Sequence, residues 1–117
     1  MKLKLEVEIP EGLIELVVRG IMDNFPEASA TLRCYEWDYE QCHFRFEDGE
    51  TGKIYDVDKP TLMAAFPLLF TDKWPKGCTQ PPFSADVMAW DNWTCQCDAT
   101  DFDAFVQLAC FGEVIYG

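Results

Sequence analysis

Residues 34–40 read Cys-Tyr-Glu-Trp-Asp-Tyr-Glu, and this stretch decides the fold that we expect for the chain. Aromatic and acidic side chains alternate strictly along it, which is the period of a β-strand with two different faces. One face would carry three rings, which are large enough to anchor a core. The other face would carry three carboxylates and no Lys or Arg within this stretch. The rings are those of Tyr35, Trp37 and Tyr39, and the carboxylates are those of Glu36, Asp38 and Glu40.

The sequence around this stretch predicts an antiparallel meander of three strands. The first strand is expected from about residue 30 to residue 39, and residues 41–48 repeat the alternation. Residues 48–52 read Asp-Gly-Glu-Thr-Gly, a strong turn signal, and residues 53–57 return as a third strand. The meander would collect acids on one surface. The acids expected there are Glu36, Asp38, Glu40, Glu47, Asp48 and Glu50.

Residues 2–9 alternate apolar and charged side chains, which predicts a further strand at the start of the chain. Pro10 and Glu11 then open a helix whose apolar residues recur at helical spacing, and Asn24 and Pro26 are expected to end it. The strand expected over residues 2–9 and the three strands of the meander together make a sheet of about four strands.

Two more helices are expected in the second half of the chain. Asp58 is typical of a helix N-cap, followed by Lys59 and Pro60, and Pro67 should kink or end that helix. Residues 98–101 read Asp-Ala-Thr-Asp, which resembles a capping box, and Gly112 suits a C-terminal cap. The sequence therefore predicts an α+β fold, with two or three helices packed on one face of the sheet.

Residues 71–97 form the least regular part of the chain, rich in proline and tryptophan. Short strands are expected there at residues 87–90 and 93–97. The rings in this region are either an exposed docking patch or a cover over a core beneath a long loop, the commoner arrangement. The rings concerned are Trp74, Phe83, Trp90 and Trp93.

Composition bounds the function. The 117 residues include 21 Asp and Glu against 9 Lys and Arg, a formal net charge of −12, yet 49% are apolar. The chain can therefore bury a core, and it is not a disordered acidic tail. Its charge opposes direct binding to nucleic acid or to an anionic membrane, and attracts basic protein surfaces. With no export or transmembrane signal in the sequence, we expect one cytoplasmic domain over residues 1–117.

Catalytic and cofactor motifs are absent from the sequence. The one histidine, His43, follows Cys42, and neighbours in a strand point to opposite faces, so the two cannot pair as base and nucleophile. Glycosidase-type catalysis needs one carboxyl group in an apolar pocket, whereas these acids read as solvated. We therefore expect no enzymatic activity and no cofactor.

Zinc binding remains an alternative because the chain has six cysteines. Cys95 and Cys97 form one tight pair, but structural zinc favours cysteines separated by two to four residues. Without an export signal, the cysteines are expected to be thiols, with Cys42 and Cys110 as small core residues.

Both ends of the chain resemble one group of proteins. Residues 5–15 read Leu-Glu-Val-Glu-Ile-Pro-Glu-Gly-Leu-Ile-Glu, and residues 108–117 read Leu-Ala-Cys-Phe-Gly-Glu-Val-Ile-Tyr-Gly. They are similar to small phage and prophage proteins of unknown function, which open on a strand ending in Ile-Pro and close on a Phe-Gly-Glu-Ile-Val-Tyr-Gly-like tail. By size and charge the chain also resembles, more loosely, the phage anti-restriction and anti-CRISPR proteins that mimic DNA. The resemblance implies a mobile-element context and no catalytic residues.

These observations predict a non-enzymatic phage inhibitor. It would bind a host defence protein with a basic nucleic-acid-binding surface, such as a CRISPR effector complex, through its acidic residues, and would bind neither nucleic acid nor membrane itself. One alternative is a phage adaptor or structural protein whose partner docks on the Trp74–Trp93 region. A second alternative is a small zinc-binding domain.

Overall fold

The computed structural model describes residues 10, 12–28, 32–38 and 40–116. Within these ranges the fold is α+β, with a three-stranded antiparallel sheet and four α-helices. The helices are α1 (Leu13–Ala28), α2 (Lys59–Ala65), α3 (Val87–Gln96) and α4 (Ala99–Phe111), and the strands are β1 (Leu32–Asp38), β2 (His43–Asp48) and β3 (Ile54–Val57). A 3₁₀ helix, Phe66–Phe70, follows α2 directly. The strand predicted over residues 2–9 lies outside the described ranges.

The predicted meander is confirmed, because the strands are ordered β1-β2-β3 and both pairs are antiparallel. Phe44 and Phe46 of β2 are buried and belong to the same hydrophobic core as residues of α1 and α4. Arg45 lies between them and is partly exposed, as the period of two requires. The sheet therefore has an inner face on the core and an outer face toward solvent.

A bulge interrupts the alternation of β1. Cys34 lies opposite Phe46, but the next pair joins Glu36 to Arg45, so Tyr35 is an extra residue without a partner in β2. A bulge of this kind leaves the residues on its two sides on opposite faces of the sheet. Glu36 is consequently on the outer face, and Tyr35 leaves the row of rings that strict alternation predicts.

The expected aromatic core face of β1 is therefore wrong. Tyr35 is 42% exposed, and Trp37, on the inner side opposite Phe44, is 52% exposed. The core is filled instead by the two phenylalanines of β2. Tyr39, the third ring of the predicted row, lies outside the described ranges.

The first two helices follow the sequence with one correction. The helix α1 does not end at Asn24 or Pro26 but continues to Ala28. Asp58 caps α2 as predicted, accepting hydrogen bonds from the Thr61 N–H at 3.0 Å and the Thr61 hydroxyl at 2.6 Å. The α-helix then becomes a 3₁₀ helix around Pro67.

The short strands expected within residues 87–97 are wrong, since this segment is the helix α3. Asp86 caps it by accepting the Met88 N–H at 3.0 Å. Trp90 and Trp93 are three residues apart, so a helix places both on one side, where they are buried. The part of the chain that the structure describes consequently contains four α-helices, where two or three are predicted.

The last helix, α4, has both predicted ends. Asp98 and Asp101 form a complete capping box, and Gly112 adopts a left-handed conformation with φ of 76° at the C-terminus. Helix α4 packs against α1 and α2 and also contacts β3. Most of its residues are buried, which makes it the centre of the core.

Candidate functional site

Three of the six acids predicted to bind a partner are on the outer face of the sheet, and two more are in the turns at its ends. Glu36 and Asp38 are exposed on the outer face of β1, and Glu47 is on the outer face of β2. Glu40 and Glu50 are exposed in the turns before and after β2. Asp56 of β3, opposite Arg45, joins them. We call this set the acidic sheet surface: Glu36, Asp38, Glu40, Glu47, Glu50 and Asp56.

Asp48 does not belong to this surface, and its predicted partner-binding position is wrong. Its side chain is on the inner face, only 2% exposed, because it lies opposite the buried Leu32 and follows the outward-facing Glu47. Its carboxylate accepts hydrogen bonds from the Tyr116 hydroxyl at 2.9 and 3.1 Å and from the Glu50 N–H at 2.8 Å. Asp48 therefore holds the turn after β2 and the C-terminal segment in place and is not available to a partner.

The acidic sheet surface is partly neutralised from within, contrary to the expectation of a row without cations. Arg45 in the central strand donates to Asp56 at 2.7 Å and to Glu36 at 3.4 Å, bridging all three strands. The hydrogen bond and charge of Asp56 raise the pKa of Arg45 above its usual value. Arg33 of β1 forms a longer ion pair of 3.7 Å with Glu47.

The negative charge that remains lies at the two turns. Among the described residues, no ion pair joins Asp38, Glu40 or Glu50 to a basic group. Six carboxylates face two arginines on this surface, a formal net of −4 with His43 neutral. This excess is what a cationic partner would meet.

The turn between β1 and β2 shapes the more acidic end. Asp38 accepts the Gln41 N–H at 3.2 Å, which tightens the turn, and Cys42 has a positive φ of 50°. A left-handed residue lets the chain reverse within few residues, although it is uncommon for a side chain other than glycine. His43 then begins β2 with its imidazole Nε2 at 3.4 Å from the Asp56 carboxylate.

An open depression of about 430 Å³ lies at this end, lined by Glu36, Trp37, Asp38, Glu40 and His43. Trp37 contributes to this lining and is 52% exposed, although its side chain is on the inner face of β1, opposite to the side chains of Glu36 and Asp38. A ring face attracts a Lys or Arg head group through its quadrupole, and nearby carboxylates add ion pairs. The chemistry of the depression therefore suits a cationic side chain.

The tryptophans of the second half do not form the docking patch that is one alternative. Trp74, Trp90 and Trp93 are all buried in the core. The indole N–H groups of Trp74 and Trp93 both donate to the Thr79 carbonyl, at 3.1 and 3.0 Å, so they are satisfied inside the protein. Of the four rings, Phe83 alone is exposed.

The cysteines provide no zinc site in the part of the chain that the structure describes, where no three ligand-type side chains are grouped around a possible metal position. Burial, then the charge of Asp101, raises the pKa of Cys97 to about 12. Cys42 and Cys110 pack against the core as expected.

Sequence reasoning missed three members of the site. Arg45 and Asp56 lie opposite each other, and an alternating Arg in the predicted central strand was the available signal. Trp37 is on the inner face of β1, as the alternation predicts, but it is 52% exposed. Alternation gives the face of a strand residue, whereas its burial depends on which other elements cover that part of the face.

In comparisons with known proteins, no protein-family model, no curated protein and no solved structure matches the chain. No helix among the described residues has the length and apolar character needed to cross a membrane.

Proposed function

We propose that this protein is a non-enzymatic inhibitor from a phage or other mobile element. It binds the cationic nucleic-acid-binding surface of a host defence protein through the acidic sheet surface and so blocks access of the nucleic acid. The observation that carries the proposal is the exposure of Asp38 and Glu40 at the open depression beside β1, without a basic partner in the described structure. The size and charge of the chain, together with the mobile-element context that the tail implies, make a CRISPR effector complex the expected kind of partner.

The spacing of the charges supports mimicry of a polynucleotide. Carboxylates two residues apart on a strand, as in Glu36 and Asp38, are separated by about 6.5–7 Å. Phosphates of one DNA strand advance by about 3.4 Å along the axis and lie farther apart along the backbone, so the two spacings are of the same order. A groove lined with Lys and Arg would therefore accept the protein surface in place of DNA.

Trp37, which lines the same depression from the inner side of β1, would add a contact that charge alone does not provide. A guanidinium or ammonium group over Trp37 would contribute about 0.5–2 kcal/mol to the free energy of binding, and the larger value applies when water is excluded from the contact. Aromatic side chains are also enriched among the residues that dominate binding energies at interfaces. We expect Trp37 to contact an Arg or Lys of the partner directly.

The test is competition with DNA. A purified RNA-guided effector complex is incubated with labelled target DNA, and DNA binding is measured by fluorescence polarisation with increasing amounts of this protein. We expect displacement at low salt that weakens steeply by about 0.5 M salt, because exposed charges are then screened. The double variant Asp38→Lys with Glu40→Lys should lose at least about tenfold in potency.

The matched control is Asp23→Lys with Asp72→Lys, which changes the net charge equally at exposed acids outside the acidic sheet surface. It should retain nearly full potency if position decides binding. Equal losses in both double variants would show that only total charge matters. Failure to displace DNA from effectors and from other purified defence nucleases would contradict the proposal.

A further inference from the structure

A second exposed surface lies at the start of α3, away from the acidic sheet surface in the sequence. Phe83 is 66% exposed, Val87 47% and Met88 65%. Single exposed apolar residues are ordinary on protein surfaces, but three within six positions form a local concentration. We call them the Phe83–Met88 patch.

Contacts with core residues fix the conformation of the segment that carries Phe83. The Phe83 ring stands edge-on to Phe70, with ring centroids 4.9 Å apart, and Phe70 contacts the buried Trp90 in the same way at 6.1 Å. The Trp90 indole N–H donates to the Ser84 carbonyl at 2.7 Å. These contacts fix the loop before α3, so the patch needs little ordering when a partner binds, which lowers the entropic cost of binding.

The charge around the patch selects the partner. From residue 77 to residue 117 the chain has no Lys or Arg. Asp86, which caps α3, and Asp91, one helical turn beyond Val87, are both exposed beside the patch. Arg19 of α1 lines a depression together with Asp91, but among the described residues no ion pair joins it to Asp86 or Asp91. A second copy of the chain would therefore still bring aspartates against aspartates, and an anionic membrane would be repelled.

We propose that the Phe83–Met88 patch binds a basic amphipathic helix of another protein. The apolar face of that helix covers Phe83, Val87 and Met88, and its Lys or Arg residues meet Asp86 and Asp91. A helix of this type binds through apolar side chains that recur along it every three or four residues. The flexible side chain of Met88 can adapt to the shape of those side chains. This surface is separate from the acidic sheet surface, so the protein would join two partners or grip one partner at two places.

The probe is a synthetic helix of about 18 residues with leucines along one face and lysines on the other. Its affinity is measured by isothermal titration calorimetry against the wild type and the double variant Phe83→Ser with Met88→Ser. Both substitutions replace exposed side chains, so the fold should be kept, which circular dichroism checks. We expect the variant to bind at least about tenfold more weakly, since truncated apolar anchors dominate such losses.

Two controls separate the patch from general charge attraction. Ile54→Ser with Met63→Ser removes two exposed apolar side chains elsewhere and should leave the affinity unchanged. Asp38→Lys with Glu40→Lys should change it by less than about threefold, because those charges lie on the other surface. A scrambled peptide of the same composition should bind much more weakly.

The inference is overturned if the Phe83→Ser/Met88→Ser variant binds as well as the wild type, or if the scrambled peptide binds equally. It is also overturned if sedimentation shows self-association that these substitutions abolish, since a second copy would then cover the patch. Competition by neutral lipid vesicles would assign the patch to a membrane instead. None of these results bears on displacement of DNA by the acidic sheet surface.

Discussion

The carboxylate of Asp48 shows how the meaning of an acid depends on what surrounds it. Burial raises its pKa, but the donors that reach it, including the Glu50 N–H and the Tyr116 hydroxyl, outweigh that effect and place the pKa below its usual value. Asp48 is therefore ionised in the folded protein and ties the C-terminal segment to the sheet. Counted by sequence it belongs to an acidic surface, but in the structure it belongs to the core.

The same segment is held by a second polar residue, Gln107 of α4, whose side chain is almost fully buried. Its amide oxygen accepts the N–H groups of Ile115 and Tyr116 at 2.9 and 2.8 Å, and its amide nitrogen donates to the Tyr116 carbonyl at 3.0 Å. The C-terminal segment is thus held by hydrogen bonds to both the backbone and the side chain of Tyr116. These hydrogen bonds give Ile115 and Tyr116 a structural role in attaching the C-terminal segment to α4 and the sheet.

Tyr116→Phe removes the hydroxyl donor to Asp48, and we expect the thermal midpoint at pH 7 to fall by about 5 °C. Because the pKa of Asp48 is lowered in the folded state, its stabilisation is present above the ordinary value of 3.8 and is lost as the pH falls below it. The difference between wild type and variant should therefore shrink from about pH 5 downward. Differential scanning calorimetry across this range measures it.

Tyr55→Phe is the control for that measurement, since the Tyr55 ring packs edge-on against Phe111 and no hydrogen bond from its hydroxyl is found among the described residues. It should leave the midpoint nearly unchanged. A Tyr116→Phe deficit that stays constant with pH would mean that the hydroxyl is not coupled to the charge of Asp48.

At the scale of elements, the central contact is between α1 and α4. Gly20 of α1 lies against the ring of Phe102 in the first part of α4, and a Cβ at Gly20 would overlap that ring. Glycine in a helix interior costs about 1 kcal/mol relative to alanine, so here it serves close approach. The two helices share a core that also contains residues of the sheet.

Gly20→Ala should destabilise the protein by about 1–2 kcal/mol, since the overlap with Phe102 outweighs the gain in helix propensity. In the double variant with Phe102→Leu the two effects should not add, because the smaller side chain relieves the overlap. Urea unfolding of the single and double variants gives the coupling energy. Gly77→Ala, where a Cβ meets nothing within 4 Å, should have an effect below about 0.5 kcal/mol.

If Gly20→Ala is neutral, α1 and α4 separate without cost and the close approach has no energetic role. If the double variant is as unstable as the sum of the single ones, the overlap with Phe102 is not the cause. Either result would contradict the packing explanation.

At the scale of the whole molecule, repulsion among like charges opposes folding. A net charge of −12 on 117 residues destabilises the compact state, and salt screens that repulsion. The ion pairs of Arg45 act in the opposite sense, because salt weakens them. They are surface pairs, and such pairs contribute little to stability. Repulsion should therefore dominate the response to salt.

Raising NaCl from about 0.02 to about 0.2 M should increase the thermal midpoint by about 3–5 °C. The variant Asp23→Lys with Asp72→Lys lowers the net charge to −8 and should respond less. Thermal unfolding followed by circular dichroism provides both values. A midpoint that falls with salt would mean that ion pairs, not repulsion, set the electrostatic balance.

The local signals of this sequence were sufficient for the elements that depend on them. The meander turn, the Asp58 cap, the end of the α-helix near Pro67 and the capping box with Gly112 depend on a few neighbouring residues, and all four predictions are confirmed. The exposure of Glu36, Asp38 and Glu40 was also predictable, because charged side chains on a strand avoid a core without partners.

Tertiary structure alone decided the features that require two distant segments to meet. The bulge that places Tyr35 outside the aromatic row exists only in the pairing with β2, and the burial of Asp48 depends on Tyr116, 68 positions away. Arg45 neutralises Glu36 and Asp56 only because three strands lie side by side. Sequence determines which groups are charged and how each short segment folds, but the neighbours that bury or neutralise them are set by packing, since those contacts are not encoded by spacing along the chain.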